Sequence, residues 1–526
     1  MVFPWQTLDS FGWRKYFLYD SPVLGGSPNE IDYLWKGTQA SFMRTTLTHD
    51  TARRMTSYKN EMFKRRDFFT YDSNGLLQKS RYEGWPGWPY FTETGSLYFS
   101  RDTSGLISGI TGDKELNANY DQDLQITSIN HILPQPFAEG YTYDDNGNRL
   151  TSLTNSFIYD DLNRLTESTL HDYTYDADGN MTQEKNKLTT ESKKYYYDSE
   201  NRMIKYEHQA SDVSPIDITA TYKYDIFGRR LQKNVNGAIT NFFWENDTMT
   251  YELNDQYQPI RKYLTGSGGI DDYEGHLEYS EITDFPHIFF PEYRQPWYSY
   301  MKDQVGTIYK VHSMKTRAIA ESRVYDSFGN LVNQTGTATT PLGFQGKYYD
   351  AESGLNYFYQ RYYNPMIGRF TSEDPIRLSG GLNLNSFVEN NPVNFSDPSG
   401  TRLVLPNGMF SDYKKIDEIF FSTPYTKCFS RCMFGNIGAP GVAHGMWEAL
   451  NLIIEVGGGT WSSRIWYTLK YPNWFVAWGK YSTVLVPQLT EKITMAASKI
   501  SIIAWLYFYY EMGKCVKDCM ECTKSH

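Results

Sequence analysis

Two aspartates, Asp374 and Asp397, lie 23 positions apart in the stretch "EDPIRLSGGLNLNSFVENNPVNFSDPSG", and each is followed by proline. Two carboxylates brought close cannot both ionise easily, so one keeps a proton while the other stays charged. Such a pair can activate a water and protonate a peptide carbonyl. A nearby guanidinium would hold one member ionised, and Arg361 in "YQRYYNP", 13 residues before Asp374, is the candidate. Taken alone, Asp-Pro-x-Gly is a turn, with proline fixing φ at its second position. Two Asp-Pro steps just before a change in charge and cysteine content point beyond turn chemistry.

Other candidates are thinner. In "HGMWE", His444 and Glu448 fall on one helical face and have the chemistry of a general acid/base pair, but the second histidine of a zinc-protease helix is missing. A surface or capping contact explains the same two residues. "VGGGT" has no lysine after it and is not a phosphate loop. The five cysteines all follow residue 401, in "CFSRC" and "CVKDCMEC". Cys428 with Cys432, and Cys515 with Cys519, each share a helical face, so two antiparallel helices could be joined by two disulfides, with Cys522 left over. Cys428–Cys519 and Cys432–Cys515 is the pairing that suits antiparallel helices; zinc binding and unpaired thiols are the alternatives. The reading calls for no cofactor and no metal.

The elements that position the aspartate pair come from the rest of the chain. At 526 residues, with 44 Tyr, 40 Gly and 13 Trp, the composition favours strands and turns. The net charge is −10, made of −14 over the first 400 residues and +4 over residues 401–526. An acidic body argues against nucleic-acid binding by that part, which needs clustered Lys and Arg. From Phe68 the sequence repeats itself: "FTYDSNGLLQKS", "YTYDDNGNRLTSL", "FIYDDLNRLTEST", "YTYDADGNMTQE", "YYYDSENRMIKYE", "YKYDIFGRRLQKN" and "RVYDSFGNLVNQT". Each unit reads as a strand, a turn opened by Tyr-Asp, and a second strand. A hairpin of this size cannot bury both faces alone, so tandem copies should stack into one continuous sheet with aromatics inward. The motif tyrosines at 143, 159, 175, 197 and 224 are spaced by 16, 16, 22 and 27, so the period drifts.

These units resemble the Rhs/YD-repeat family, which includes polymorphic bacterial toxins, the C components of insecticidal Tc complexes and, more distantly, teneurins. The stretch "PLGFQGKYYDAESGLNYFYQRYYNPMIGRFTSEDPIRLSGGLNLNSFVENNPVNFSDPSG", Pro341 to Gly400, is similar to the Rhs repeat-associated core. The resemblance implies a mainly β fold, a β-sheet ribbon spiralling into a shell, that keeps a variable C-terminal domain inside. It implies that Arg361, Asp374 and Asp397 cut the chain near Gly400, Thr401 and Arg402. Thr401 stands where the family usually has leucine. It further implies the C-terminal domain as cargo and a cognate immunity protein and a delivery machinery as partners. The opening "MVFPWQTLDSFGWRKYF" lacks the unbroken apolar core of a signal peptide, so secretion or display at the cell surface would need a route independent of one.

The expected organisation is therefore a divergent part of the β-shell over 1–67, YD repeats over 68–340, the repeat-associated core over 341–400, and a small α-helical, toxin-like domain over 401–526. Residues Ile493 to Tyr510 carry Lys499 as their single charge and reach the lower length limit of a membrane span, although a buried amphipathic helix accounts for them too. The cargo is then membrane-active or enzymatic. A different class of function is a surface adhesion protein whose aromatic strands meet glycans or a protein partner without any cleavage.

Overall fold

A computed structural model describes the chain from Trp5 to Val404, with internal gaps of which 280–295 is the longest; residues 405–526 lie outside it. The segment expected to be helical, Cys428, Cys432, Cys515, Cys519, Cys522, His444, Glu448 and the apolar stretch Ile493 to Tyr510 all fall among those residues. The chain divides into two units, Met1–Pro375 with Gly380–Ser411, and Ile376–Ser379 with Asp412–His526. The fold described below is that of the first.

That fold is mainly β, as the alternating aromatic runs require. Within each sheet, strands pair antiparallel with their sequence neighbours. One sheet of twelve runs from Trp5–Leu8 to Phe137–Gly140, and one of sixteen from Phe157–Tyr159 to Leu331–Gly336. A two-stranded pair, Thr142–Tyr143 with Arg149–Thr151, stands between them in the chain. Motif tyrosines lie beside the buried row: Tyr173, Tyr195, Tyr206, Tyr222 and Tyr263 form much of the core of the longer sheet.

The Tyr-Asp signature has a separate physical reason for each residue. The aspartate closes its own turn: Asp144 Oδ1 accepts from the backbone N–H of Asn146 (3.0 Å) and Asn148 (2.8 Å), and Asp225 Oδ1 from those of Phe227 (2.8 Å) and Arg229 (2.9 Å). The third residue after it takes a positive φ, +72° at Gly147 and +61° at Asn163, which favours glycine or asparagine there, although the Asp121 turn places Leu124 at +65°. The tyrosine holds the previous unit. A register shift falls at each of Tyr143, Tyr159 and Tyr224, and the hydroxyls donate to the carbonyls of Ile126 (2.7 Å), Arg149 (2.8 Å) and Met203 (2.6 Å). Every one of these acceptors is the fifth residue after the preceding turn's aspartate. Trp244 does the same through its indole N–H, reaching the Arg230 carbonyl at 2.8 Å.

This rule explains the drifting period. The step from aspartate to acceptor is fixed, whereas the strands between acceptor and next tyrosine vary, from Leu165–Ser168 and His171–Tyr175 to Met203–Gln209 and Ile216–Tyr224. The same turn also occurs without a Tyr-Asp pair, at Asp102, Asn254 and Asp303. Replacing Tyr143 with phenylalanine removes one hydroxyl bond and is expected to cost about 1 kcal/mol, and Tyr224→Phe, which also loses the Tyr362 hydroxyl at 3.2 Å, about 1–2 kcal/mol. Asp225→Ala, which leaves two turn amides without their acceptor, should also cost about 1–2 kcal/mol. Denaturant midpoints at constant m-value check all three.

After Gly336 the chain leaves the meander. Residues 341–400 form a four-stranded sheet, Tyr348–Asp350, Leu355–Phe358, Arg361–Asn364 and Arg369–Phe370, then an irregular arm. This segment fills two cores. Tyr348, Leu355, Tyr357 and Tyr362 pack among the aromatics of the longer sheet, while Phe358, Tyr363, Phe370 and Phe387 pack with Leu97, Ile107 and Ile129 of the shorter one. The asparagine-rich part of the arm runs across successive turn tips. Asn383 Nδ2 donates to Asn148 Oδ1 (2.7 Å), Asn390 Nδ2 to the Gly147 carbonyl (2.7 Å) and Asn391 Nδ2 to the Leu124 carbonyl (2.8 Å), while Asn394 Oδ1 accepts from the Ile107 N–H (2.8 Å). The 23 positions from Asp374 to Asp397 are the length of this excursion out over the turns and back.

One turn aspartate is electrostatically unlike the rest. Asp326 is half-buried beside Glu139, and desolvation with that neighbouring carboxylate pushes its carboxyl up to about 7, with the Asn330 hydrogen bonds and then Arg149 acting the other way. Glu139 is itself held below its usual value: burial alone would raise it, but His131, Ser327 and Tyr141 outweigh that. The native state thus holds a proton on Asp326 between about pH 4 and 7 that an unfolded chain, with an ordinary aspartate near 3.9, has released. Its contribution to stability is full below about pH 4 and is lost as the pH rises toward 7. Asp326→Asn keeps an oxygen acceptor for the Asn330 N–H, 2.8 Å from Oδ1 in the native turn, and should flatten the fall in unfolding midpoint between pH 5 and 7.5.

Candidate self-cleavage site

The three residues singled out by chemistry meet at one point. Arg361 opens the strand Arg361–Asn364, whose partner Leu355–Phe358 places Phe358 opposite it in register. From there the guanidinium reaches both carboxylates: Nη2 lies 2.9 Å from Asp374 Oδ2 and 3.6 Å from Asp397 Oδ2. All three side chains are 3–4% exposed. Phe370 stacks under the guanidinium, its ring centroid 3.6 Å from the central carbon. Burial pulls the Arg361 guanidinium below its ordinary value, against Asp374 and then Asp397, which pull it up. It remains a cation, since arginine starts far above neutrality.

The remaining donors of Arg361 lock the geometry. Nη1 donates to the Leu384 carbonyl at 2.9 Å, and that same carbonyl accepts the Asp374 backbone N–H at 2.9 Å. Nε donates to the carbonyl oxygen of Gly400. On the other side of that peptide bond, Asp397 Oδ1 accepts from the N–H of Thr401 at 3.0 Å and from that of Arg402 at 3.1 Å. One amide, Gly400–Thr401, is therefore gripped at its oxygen by a cation and at its nitrogen by a carboxylate. Gly400 has φ +72°, and a Cβ there would stand 2.3 Å from the Phe358 carbonyl oxygen, so glycine is what lets the bond lie against the strand.

Two residues that sequence reasoning missed hold the second Asp-Pro turn. Gln345 Oε1 accepts the Asp397 backbone N–H at 3.2 Å, and its Nε2 donates to the Phe395 carbonyl at 3.0 Å. Lys347 Nζ donates to the Pro398 carbonyl at 2.6 Å and pairs with Asp271. Both sit in "FQGK", and Gln345 has φ +48°, a left-handed backbone no pattern there announces. A lysine and a glutamine within an otherwise aromatic run were the available signal. Arg361, Asp374, Asp397, Gly400, Thr401 and Arg402 are thus brought together. Among the described residues no group of three or more His, Cys, Asp or Glu is arranged to hold a metal, and no helix is long and apolar enough to cross a membrane.

Consecutive hairpins tied turn to turn, closed by a segment that plugs both sheets, define a YD-repeat β-shell protein. The chain belongs to the teneurin YD-shell family, whose model matches residues 92–393. It is 29% identical over 293 residues to the tRNA nuclease WapA of Bacillus subtilis (strain 168), covering 52% of this chain and 11% of that one. It is 25% identical over 386 residues to the toxin protein Tse5 of Pseudomonas aeruginosa, covering 63% of this chain and 28% of that one. The crystal structure of TcdB2-TccC3-TEV superposes with a TM-score of 0.57 at 18% identity, over 75% of this chain and 21% of that one, a likeness of fold. The chain spans about a tenth to a quarter of the length of these relatives.

Proposed function

We propose that this chain carries a C-terminal effector in the manner of a polymorphic toxin and frees it by cutting itself where the YD-repeat body ends. The observation that carries the reading is the grip of Arg361, Asp374 and Asp397 on a single peptide bond. The overall change is hydrolysis: an oxygen from water ends on the Gly400 carbonyl carbon, the C–N bond to Thr401 breaks, and the nitrogen gains a proton as it leaves. Arg361 Nε polarises the carbonyl and faces the charge that develops on its oxygen. Asp397, beside the leaving nitrogen, supplies the proton there, and Asp374, paired with Arg361, accepts one from the nucleophile.

In this reading residues 401–526 are the cargo, a cognate immunity protein protects the producer, and a delivery machinery takes the chain out of the cell that makes it. The names of WapA and Tse5, a tRNA nuclease and a toxin, support a toxic effector as the class of cargo. The test is to express the full chain and follow it by denaturing electrophoresis and N-terminal sequencing. Two species meeting between residues 400 and 402 are expected. One intact chain, the same for wild type and Asp374→Asn, would sink the reading and favour a displayed adhesion protein.

A further inference from the structure

We propose that Lys347 and Asp271 are further positioning residues of the self-cleavage site, an ion pair that holds the second Asp-Pro turn and sets the pH range over which the aspartate pair works. The inference rests on the self-cleavage reading above and adds to it two residues from outside the doubled motif. It starts from one line of contacts. Asp271 lies just before the strand Tyr273–Glu278 of the longer sheet, and its carboxylate pairs with Lys347 Nζ. The same ammonium donates to the carbonyl of Pro398, the residue after Asp397, at 2.6 Å. It also stands 4.8 Å from the centroid of the Phe358 ring, and Phe358 is the residue opposite Arg361 in register. The Lys347 side chain is 2% exposed, so its charge is withdrawn from water beside the site rather than displayed at the surface.

The balance of charge gives this pair a second effect. Lys347 and Arg361 bring two cations to the three carboxylates of Asp271, Asp374 and Asp397, which leaves one negative charge in excess when every carboxyl is ionised. Crowded carboxylates that outnumber their cations retain a proton among them. Burial pushes the Asp271 carboxyl up, Lys347 pulls it down and Asp397 pushes it up again, so the two aspartates feel each other across the lysine. Tyr273 faces Asp271 from its own strand, and Arg230, Tyr348, Tyr357 and Tyr359 line the same small cavity. Burial pushes all four tyrosines above their ordinary value, and Arg230 is a cation already matched by Asp350. Between about pH 4 and 9 the carboxyls are therefore the groups of this cluster that exchange protons.

An anion at position 271 makes loss of the shared proton harder, and a cation at 347 makes it easier. In the self-cleavage reading one carboxyl of the pair carries the proton that reaches the leaving nitrogen, so the rate of cutting falls on the alkaline side as that proton is lost. Asp271→Asn leaves the Lys347 charge unbalanced and should move this alkaline limb to lower pH by about one unit. Lys347→Met removes the cation and should move the limb to higher pH. It should also lower the maximal rate about 10-fold or more, because the Pro398 carbonyl loses its donor and the Asp397 turn loosens.

The test uses the full chain as wild type, Asp271→Asn, Lys347→Met and the double variant, recovered unfolded in urea and diluted into buffers from about pH 4.5 to 9. Rates of cutting are read on denaturing gels, and thermal midpoints report folding. Opposite shifts of the two single variants are expected, with the limb of the double variant close to wild type and its rate still low. An ion pair that only supports the fold would slow cutting without moving the limb. Limbs that stay in place, or that both move the same way, would overturn the inference. Should Lys347→Met fail to fold, Asp271→Asn decides alone: a limb at lower pH supports the inference, and one at the wild-type pH or above it overturns it. A wild-type chain that stays intact at every pH overturns the self-cleavage reading itself, and this inference with it, an outcome distinct from a cut wild type with unmoved limbs.

Discussion

Asp374→Asn and Asp397→Asn should each leave the chain intact under conditions where the wild type is expected to separate into two pieces meeting between residues 400 and 402. Asparagine is nearly isosteric with aspartate, so the arm keeps its path. At position 397 the amide oxygen still accepts the N–H groups of Thr401 and Arg402, which lie 3.0 and 3.1 Å from Oδ1 in the native chain. What is lost is the ability to move a proton, worth about 10²–10⁴ in rate for a positioned acid or base. Arg361→Lys is expected to be nearly as severe. A lysine keeps the charge but cannot reach Asp374, Asp397, the Leu384 carbonyl and the Gly400 carbonyl at once, because that requires the planar fork of a guanidinium. A time course on denaturing gels gives the rates, and thermal midpoints within a few degrees of wild type confirm that the fold survives. Cutting of either aspartate variant at the wild-type rate would remove the carboxylates from the mechanism.

The second large effect concerns stability. Arg230 is 1% exposed and pairs with Asp350, which is wholly buried, at 2.5 Å; it also donates to the Tyr362 hydroxyl at 3.0 Å. Its guanidinium carbon lies 4.4 Å from the Tyr357 ring centroid and 4.9 Å from that of Phe242. Arg230 belongs to the strand Arg230–Val235 of the longer sheet and Asp350 to Tyr348–Asp350 of the closing segment, so this pair joins repeats to plug. Arg230→Ala leaves Asp350 with Lys233 as its ionic partner at 2.9 Å and opens a void among four aromatic rings. Removing one partner of a buried pair costs about 3–5 kcal/mol. The loss should appear as a large drop in denaturant midpoint, with faster proteolysis of the 341–400 segment. A shift under 1 kcal/mol would mean that Lys233 and the ring cluster suffice to hold Asp350.

The β fold, the turns and the pairing of neighbouring strands were legible in the sequence because they are local. An aspartate closes a turn two and four residues on, and alternating aromatics declare which face is buried, all within a dozen positions. The tyrosine's job was less legible. Turn chemistry accounts for Asp144 and Asp225 but not for why tyrosine precedes them, since the acceptors at Ile126 and Met203 lie a full unit back and are backbone carbonyls of no particular residue type. The drifting period concealed the constant step that the hydrogen bonds reveal. Asparagines 383, 390, 391 and 394 read only as a polar loop, because each partner lies more than 200 residues earlier.

The candidate site divides the same way. Residue types and the doubled Asp-Pro singled out Arg361, Asp374 and Asp397 without coordinates, since few patterns place two such steps before a break in composition. Only the tertiary structure decided that one guanidinium touches both carboxylates and the Gly400 carbonyl, and that Asp397 holds the nitrogen of the same bond. The reason is physical: the pair is assembled by an arm that crosses the turns of distant repeats and returns to the strand carrying Arg361. Its closing turn is held by Gln345 and Lys347, some fifty residues earlier. Local chemistry names such groups, but long-range packing sets the distances over which they act.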